Sequence, residues 1–206
     1  MKIGIDIDDT ILFTAESMFK YADIYKSEIP KTQINVDCLG FIRDGYYINA
    51  YYGWDHKTTI SFFNKYYKKI LNECTMLPEV DDILRKLKSD GHSIHFVTAR
   101  LMNIDGCDTE NITKKSLEKY KIPYDSLNLQ VHDKLYFFKK NNLDLCIEDN
   151  YEMCRQMTDN GIKSLLMTTK MNSNVPSNDI IRVNNWHEIY VEIEKLKRVE
   201  RYRQLL

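Results

Sequence analysis

Four small groups of polar residues in this sequence share one placement: each follows a short apolar run. The first is Asp6-Ile7-Asp8-Asp9-Thr10, after residues 2–5 (KIGI). Alternate residues of an extended segment point the same way, so Asp6 and Asp8 can face one site. Two close carboxylates repel unless a cation lies between them or one is protonated, and catalysis can use either outcome. The second group is Thr98-Ala99-Arg100, after residues 93–97. It offers a hydroxyl and a guanidinium, donors that suit phosphate oxygens. The third is Lys134, after residues 127–131, and the fourth is Glu148-Asp149, directly after residues 143–147. Each group alone has a plainer reading. A DxD can be a solvated acidic turn, Thr-Ala-Arg the start of a helix, Lys134 a surface residue, and Asp149 or Asn150 a helix cap. The argument for chemistry is their succession: acid pair, threonine, lysine, acid pair, each one strand apart.

The elements that must position these groups follow from hydrophobic periodicity. Val80, Ile83, Leu84 and Leu87 recur at helical spacing, with Pro78 near the start and Gly91 just past the end. Helices around 110–121, 134–141 and 151–160 precede the apolar runs 127–131, 143–147 and 164–167. A polar loop over 168–178, a short strand at 180–183 and a helix over 186–197 close the chain. This alternation predicts an α/β fold: a three-layer α/β/α core around a mostly parallel sheet. In such sheets ligands bind beyond the carboxyl ends of the strands, where all four groups fall. Residues 14–76 break the rhythm. They hold most of the 14 tyrosines and no strand pattern, and 20–25 and 61–70 read as helical. We therefore expect a helical cap over 14–76, inserted after the first strand of a core formed by 1–13 and 77–206.

Composition narrows the function. With 43% hydrophobic and 29% charged residues in 206, the chain can bury a core and is not disordered. A net charge of −1 argues against a nucleic-acid polymer or a membrane surface as partner. The five cysteines (Cys38, Cys74, Cys107, Cys146 and Cys154) are odd in number and form no CxxC pair, so buried thiols in a reducing compartment are expected. Acidic residues interrupt the apolar start MKIGIDIDDTILF, which does not read as a secretory leader. No run approaches the length of a membrane span. The expected location is cytoplasmic.

The order of the motifs resembles the haloacid dehalogenase superfamily, whose first motif is an apolar strand followed by Asp-x-Asp-x-Thr. IGIDIDDTI fits at every position, with Thr10 as its threonine. Thr98 matches the second motif, Lys134 the third, and Glu148-Asp149 the acidic fourth. The stretches Lys119-Tyr120-Lys121-Ile122-Pro123-Tyr124-Asp125 and Ile147-Glu148-Asp149-Asn150 are similar to the 5′-nucleotidase (deoxyribonucleotidase) branch. The resemblance implies a Rossmann-like core and a Mg²⁺-dependent phosphatase. In it Asp6 is the nucleophile and Asp8 the proton carrier. Thr98 and Lys134 hold the phosphoryl oxygens, with Arg100 assisting them or forming a structural ion pair. Magnesium is implied on Asp6, the backbone carbonyl of Asp8, and Asp149, while Glu148 orients the metal's surroundings.

Three rivals differ in class. A receiver-type signalling domain carries its acidic pair first and its phosphorylated aspartate third, the reverse of the order here. A nucleotide-triphosphate switch would need a GxxxxGK[ST] loop, which the sequence lacks. A non-catalytic protein using this fold as a binding module is the remaining alternative, and the presence of all four chemical groups counts against it. The substrate is expected to be a small phosphorylated metabolite: a nucleoside monophosphate or, as alternatives, a sugar phosphate or a phosphorylated amino compound. A sugar phosphate would equally suit a mutase. The cap stretch 44–55 contains Tyr52 and Trp54, rings able to stack on a nucleobase or, alternatively, to pack the cap. The protein is expected as a monomer or homodimer.

Overall fold

The structure, a computed structural model, describes residues 1–29, 47–102, 104–177 and 179–204. Cys38 and the first part of the stretch 44–55 lie outside these. Six parallel strands form one sheet: β1 (Lys2–Ile5), β2 (Ser93–Val97), β3 (Ser126–Asn128), β4 (Leu145–Glu148), β5 (Lys163–Met167) and β6 (Ile181–Val183). Their order is β3-β2-β1-β4-β5-β6. The chain winds outward from β1 in one direction, then returns to β1's other side and winds outward again. The reversal falls between β1 and β4, the switch point where open α/β sheets leave a crevice for ligands.

Along the chain, from β1 onward, the strands alternate with α4 (Val80–Ser89), α5 (Thr109–Lys119), α6 (Lys134–Asn141), α7 (Tyr151–Asp159) and α8 (Trp186–Gln204). The segment between β1 and α4 contains α1 (Thr14–Glu28), α2 (Tyr47–Tyr52) and α3 (His56–Glu73). Local chemistry sets several of these boundaries. In α4, Val80, Ile83, Leu84 and Leu87 are buried, while Asp81 and Asp82 sit in the first turn and Lys86 and Lys88 in the last. That charge order complements the helix dipole. Asp133, Asn150 and Asp55 cap α6, α7 and α3 by accepting from Tyr136 N, Met153 N and Thr58 N.

Two compact units result. One comprises Met1–Leu12, Met76–Arg100 and Leu117–Leu206; the other comprises Phe13–Thr75 and Leu101–Ser116. The second takes in residues 101–116, which the sequence reading left with the sheet. The reason is packing: Cys107 and Ile112 are buried in that unit's core, with Leu101 and Ile104 against it. Most of the rest of this core is aromatic (Tyr21, Tyr25, Tyr52, Trp54, Phe62, Phe63, Tyr66 and Tyr67), filled in by Ala22, Ile48, Ile70 and Leu71.

The strands differ from expectation by more than one residue at two ends. β3 stops at Asn128 rather than 131, because the chain turns at Gln130, which has a positive φ of 57°. β4 runs Leu145–Glu148 rather than 143–147. Leu143 instead closes α6, its N–H donating to the Phe138 carbonyl past the left-handed Asn142. Cys74, Cys107, Cys146 and Cys154 are buried thiols, with no disulfide among the described residues.

Candidate active site

Register brings the motifs to one edge. Ile5 pairs with Phe96 on one side and Ile147 on the other. The residues that follow, Asp6, Thr98 and Glu148-Asp149, therefore emerge together. Beyond β1 the chain is held closely: Asp6 N donates to the Ile147 carbonyl, and the Ile7 carbonyl accepts from both Ile11 N and Leu12 N. From the far end of the sequence, Trp186 Nε1 donates to the Thr10 carbonyl at 2.9 Å. Thr10 is fully buried, and its hydroxyl has no hydrogen-bond partner among the described residues.

Lys134 stands at the centre of the charges. Its Nζ donates to Asp6 Oδ1 at 2.5 Å and to Glu148 Oε2 at 2.6 Å, with all three side chains buried. Packing one turn along α6 fixes that reach. Phe138 lies against Gly4 of β1, where a Cβ would come within 2.2 Å of the ring. The missing side chain at Gly4 thus seats α6 close to β1, and Lys134, four residues before Phe138, projects from the same face.

Asp6, Glu148 and Asp149 bring carboxylate oxygens within 4.8 Å of one another. Burial pushes the Asp6 carboxyl well above the usual range, and Glu148's charge adds to this against the pull of Lys134. Asp149 is raised likewise, by burial first and then by Glu148, Asp6 and Asp9. Burial alone would lower Lys134, but the charges of Asp6 and Glu148 outweigh it and hold the ammonium protonated. Two carboxyl groups thus meet one ammonium, and Asp149 adds a third beside them. An all-oxygen donor set with excess negative charge fits a hard divalent cation such as Mg²⁺.

Asp8 lies apart from Lys134, on a second cation. Arg100 Nη2 donates to its Oδ1 at 2.8 Å and Nε to both oxygens at 3.1 Å, while Thr98 Oγ1 donates to Oδ2 at 3.4 Å. The structure therefore places Arg100 in an ion pair with Asp8. Glu148, expected to support the metal ligands, orients Lys134 and also accepts from Asn150 N at 3.3 Å. In the fourth group Asn150 caps α7, while Asp149 joins the acidic cluster.

Trp54 and Tyr52 belong to the second unit. The expectation that they offer open faces to a substrate is corrected by their burial, 1% and 5% exposed inside the second unit's own core. They stack on each other at 4.8 Å, and the Tyr52 hydroxyl donates to Asp23 at 2.6 Å. Large apolar rings interleaved on α1, α2 and α3 are worth more packed together than facing water. Two contributors escaped the sequence reading. Gly4 carries no signal beyond being a glycine in a strand, which marks close approach. Asn172 donates to the Asp149 carbonyl at 2.7 Å, yet nothing in the polar loop sets it above its neighbour Asn174.

No protein-family model matches the sequence. Over 197 residues the chain is 32% identical to a nucleotidase of Clostridium acetobutylicum, covering 95% of each. Among solved structures it is similar to a predicted phosphatase from Clostridium acetobutylicum. The identity is 17%, the coverage 94% of this chain and 98% of that one, and the TM-score 0.65. It is also similar to the HAD-hydrolase YfnB of Bacillus subtilis, solved bound to magnesium. There the identity is 14%, the coverage 94% and 98%, and the TM-score 0.61. These two likenesses establish a shared fold.

Proposed function

Because the chain belongs to the nucleotidases of the haloacid dehalogenase superfamily, we propose that it hydrolyses nucleoside monophosphates through a phosphorylated Asp6, with Mg²⁺ bound. Family membership makes it a phosphatase; the nucleotide, the metal and the phosphoenzyme are the proposal. The observation that carries it is the buried Asp6–Lys134–Glu148 arrangement beside Asp149. A lysine clamped between two buried acids is a costly structure unless it serves a reaction. We place the activity in the cytoplasm, in a monomer or homodimer. No helix among the described residues is long and apolar enough to cross a membrane.

Asp6, the Asp8 carbonyl and Asp149 are the groups that would hold Mg²⁺, which when bound supplies positive charge opposite the phosphoryl oxygens. An Asp6 carboxylate oxygen forms a bond to phosphorus as the bond to the leaving oxygen breaks, and Asp8 gives that oxygen its proton. Water then attacks phosphorus and Asp8 takes its proton. The acyl-phosphate bond breaks, freeing phosphate and restoring Asp6. Lys134, pre-oriented by Glu148, and Thr98 hold the phosphoryl oxygens as charge spreads over them. Arg100 fixes the Asp8 carboxylate where the leaving group must meet it.

Phosphate release from a panel of nucleoside monophosphates and sugar phosphates, with Mg²⁺ and with EDTA, tests the proposal. Metal-dependent turnover with nucleoside monophosphates preferred is expected. A sugar phosphate preferred over every nucleotide would remove the substrate assignment. Full turnover in EDTA would remove the metal.

A further inference from the structure

Asn172 lies in the loop after β5 and is 3% exposed. Its Nδ2 donates to the carbonyls of Asp149 and Met167, both at 2.7 Å. Its Oδ1 accepts from Thr169 N at 3.1 Å and from Arg182 Nη1 at 2.8 Å. A primary amide has two N–H donors and an oxygen with two lone pairs, so this one is saturated. Two donors face one atom and two carbonyls the other, and only one orientation of the amide satisfies all four. Arg182, on β6, secures the loop further, its Nη2 donating to the carbonyls of Val175 at 2.6 Å and of Asn172 at 3.3 Å.

The contact to Asp149 bears on the acidic cluster. Asp149 is the last residue before α7, and rotation about its Cα–C bond swings its side chain relative to its carbonyl. A buried donor fixed on that carbonyl removes the freedom. The next residue is fixed as well, since Asn150 caps α7 and its N–H donates to Glu148 Oε1. We infer that Asn172, oriented by Arg182, is a positioning residue that aims the Asp149 carboxylate at the metal site. This rests on the reading of Asp149 as a metal ligand. Groups that hold metal ligands in place typically carry about 10- to 100-fold in metal affinity or activity.

The test uses the full chain and two readouts: the Mg²⁺ concentration for half-maximal thermal stabilisation, and that for half-maximal phosphate release. Asn172→Ala should raise both about 10- to 100-fold. Turnover should recover at saturating Mg²⁺ with the substrate KM nearly unchanged. Asn172→Asp, which turns an anion toward two carbonyls, should bind Mg²⁺ more weakly still. A lower metal-free melting temperature with wild-type Mg²⁺ midpoints would mean a purely structural role and overturn the inference. Should Asn172→Ala fail to fold, Arg182→Gln carries the same test. It leaves the amide in place but frees its orientation, so both midpoints should rise, by less than for Asn172→Ala, and unchanged midpoints would refute the inference. Asp149→Asn separates the two levels. If it keeps the wild-type Mg²⁺ response, the metal-ligand reading falls. If it loses that response while the Asn172 variants keep it, only the role of Asn172 falls.

Discussion

The two units carry similar ion pairs on their surfaces but differ in what they bury. In the sheet unit, Lys134, Asp6 and Glu148 are almost completely enclosed, their side chains 8%, 7% and 4% exposed. The helical unit keeps its ion pairs outside, as in Lys65–Glu28, where the side chains are 53% and 35% exposed. Its interior is given to stacked and tilted rings, among them Tyr52, Trp54 and Phe62. Distance alone does not separate the pairs, since Lys134–Glu148 spans 2.6 Å and Lys65–Glu28 2.7 Å. Solvent does. Exposed pairs gain little because water screens them and the side chains lose freedom, whereas a buried pair punishes the loss of either partner. Buried charge is therefore concentrated where chemistry needs it, and aromatic packing where the chain needs only to hold its shape.

The largest effect should follow from the nucleophile. Asp6→Asn keeps the shape and one negative charge fewer, so turnover should fall to background and no phosphate should be found on the protein after an acid quench. Label on another residue would reassign the nucleophile. Next comes Lys134→Met, which leaves two buried acids without their cation. It should lose about 10²- to 10³-fold in kcat and about 3–5 kcal/mol of stability in denaturant unfolding. Lys65→Met is the matched control and should leave both the melting temperature and kcat nearly unchanged. Comparable damage from both substitutions would end the contrast drawn between the units.

Two packing variants come next in size. Trp54→Ala should cost about 3–5 kcal/mol, the usual loss for a large buried ring, and lower kcat/KM equally for nucleotides and small phosphate esters. A loss confined to nucleotides would restore Trp54 as a stacking platform. Gly4→Ala drives a methyl into Phe138, and overpacking of this kind costs about 1–3 kcal/mol. Because Phe138 and Lys134 share one face of α6, kcat should fall as well. Trimming the ring in the double variant Gly4→Ala, Phe138→Leu should recover part of both; no recovery would mean that the Gly4 contact does not position Lys134.

The same contrast explains what the sequence disclosed. β1 and β2 were legible to the residue because a short apolar run ending at polar residues is a local signal, and α6 falls where the alternation of helices and strands puts it. The strand-end groups were legible because position after a strand is itself a local property. What escaped depends on contacts between distant residues. Leu143 looks like a strand residue but is spent closing α6. Residues 101–116 join the helical unit through Cys107 and Ile112, which no nearby pattern announces. Trp54 has the same composition signal whether it stacks on a base or on Tyr52. Asn172 reaches Asp149 across 23 residues, and no single-sequence pattern marks an amide for such a task.

The smallest expected effect concerns acid, and it too should fall on the sheet unit. His92 is 4% exposed, and neither ring nitrogen has a hydrogen-bond partner among the described residues. Burial first, then the charges of the N-terminal amine and Lys197, hold its pKa below the usual value, against the opposing pull of Asp90 and Glu194. His95 is lowered too, by burial first, though its Nδ1 lies 2.9 Å from Ser126 Oγ. A histidine whose folded pKa is depressed binds its proton more readily when the chain unfolds. Above about pH 6.5, the unfolded value, both states are neutral and stability is unaffected. As pH falls through that value the unfolded chain takes up protons that the folded chain refuses, and stability declines until the folded pKa is passed. The helical unit has one histidine, His56, and it is exposed. The raised carboxyls of Asp6 and Asp149 act in the opposite sense over the same range, taking up protons in the folded chain, so the histidine contribution is read as a difference between variant and wild type. Denaturant unfolding at a series of pH values from about 7.5 to 5 should show His92→Phe gaining stability relative to wild type below about 6.5. A difference between the two that stays constant across this range would place the acid sensitivity elsewhere.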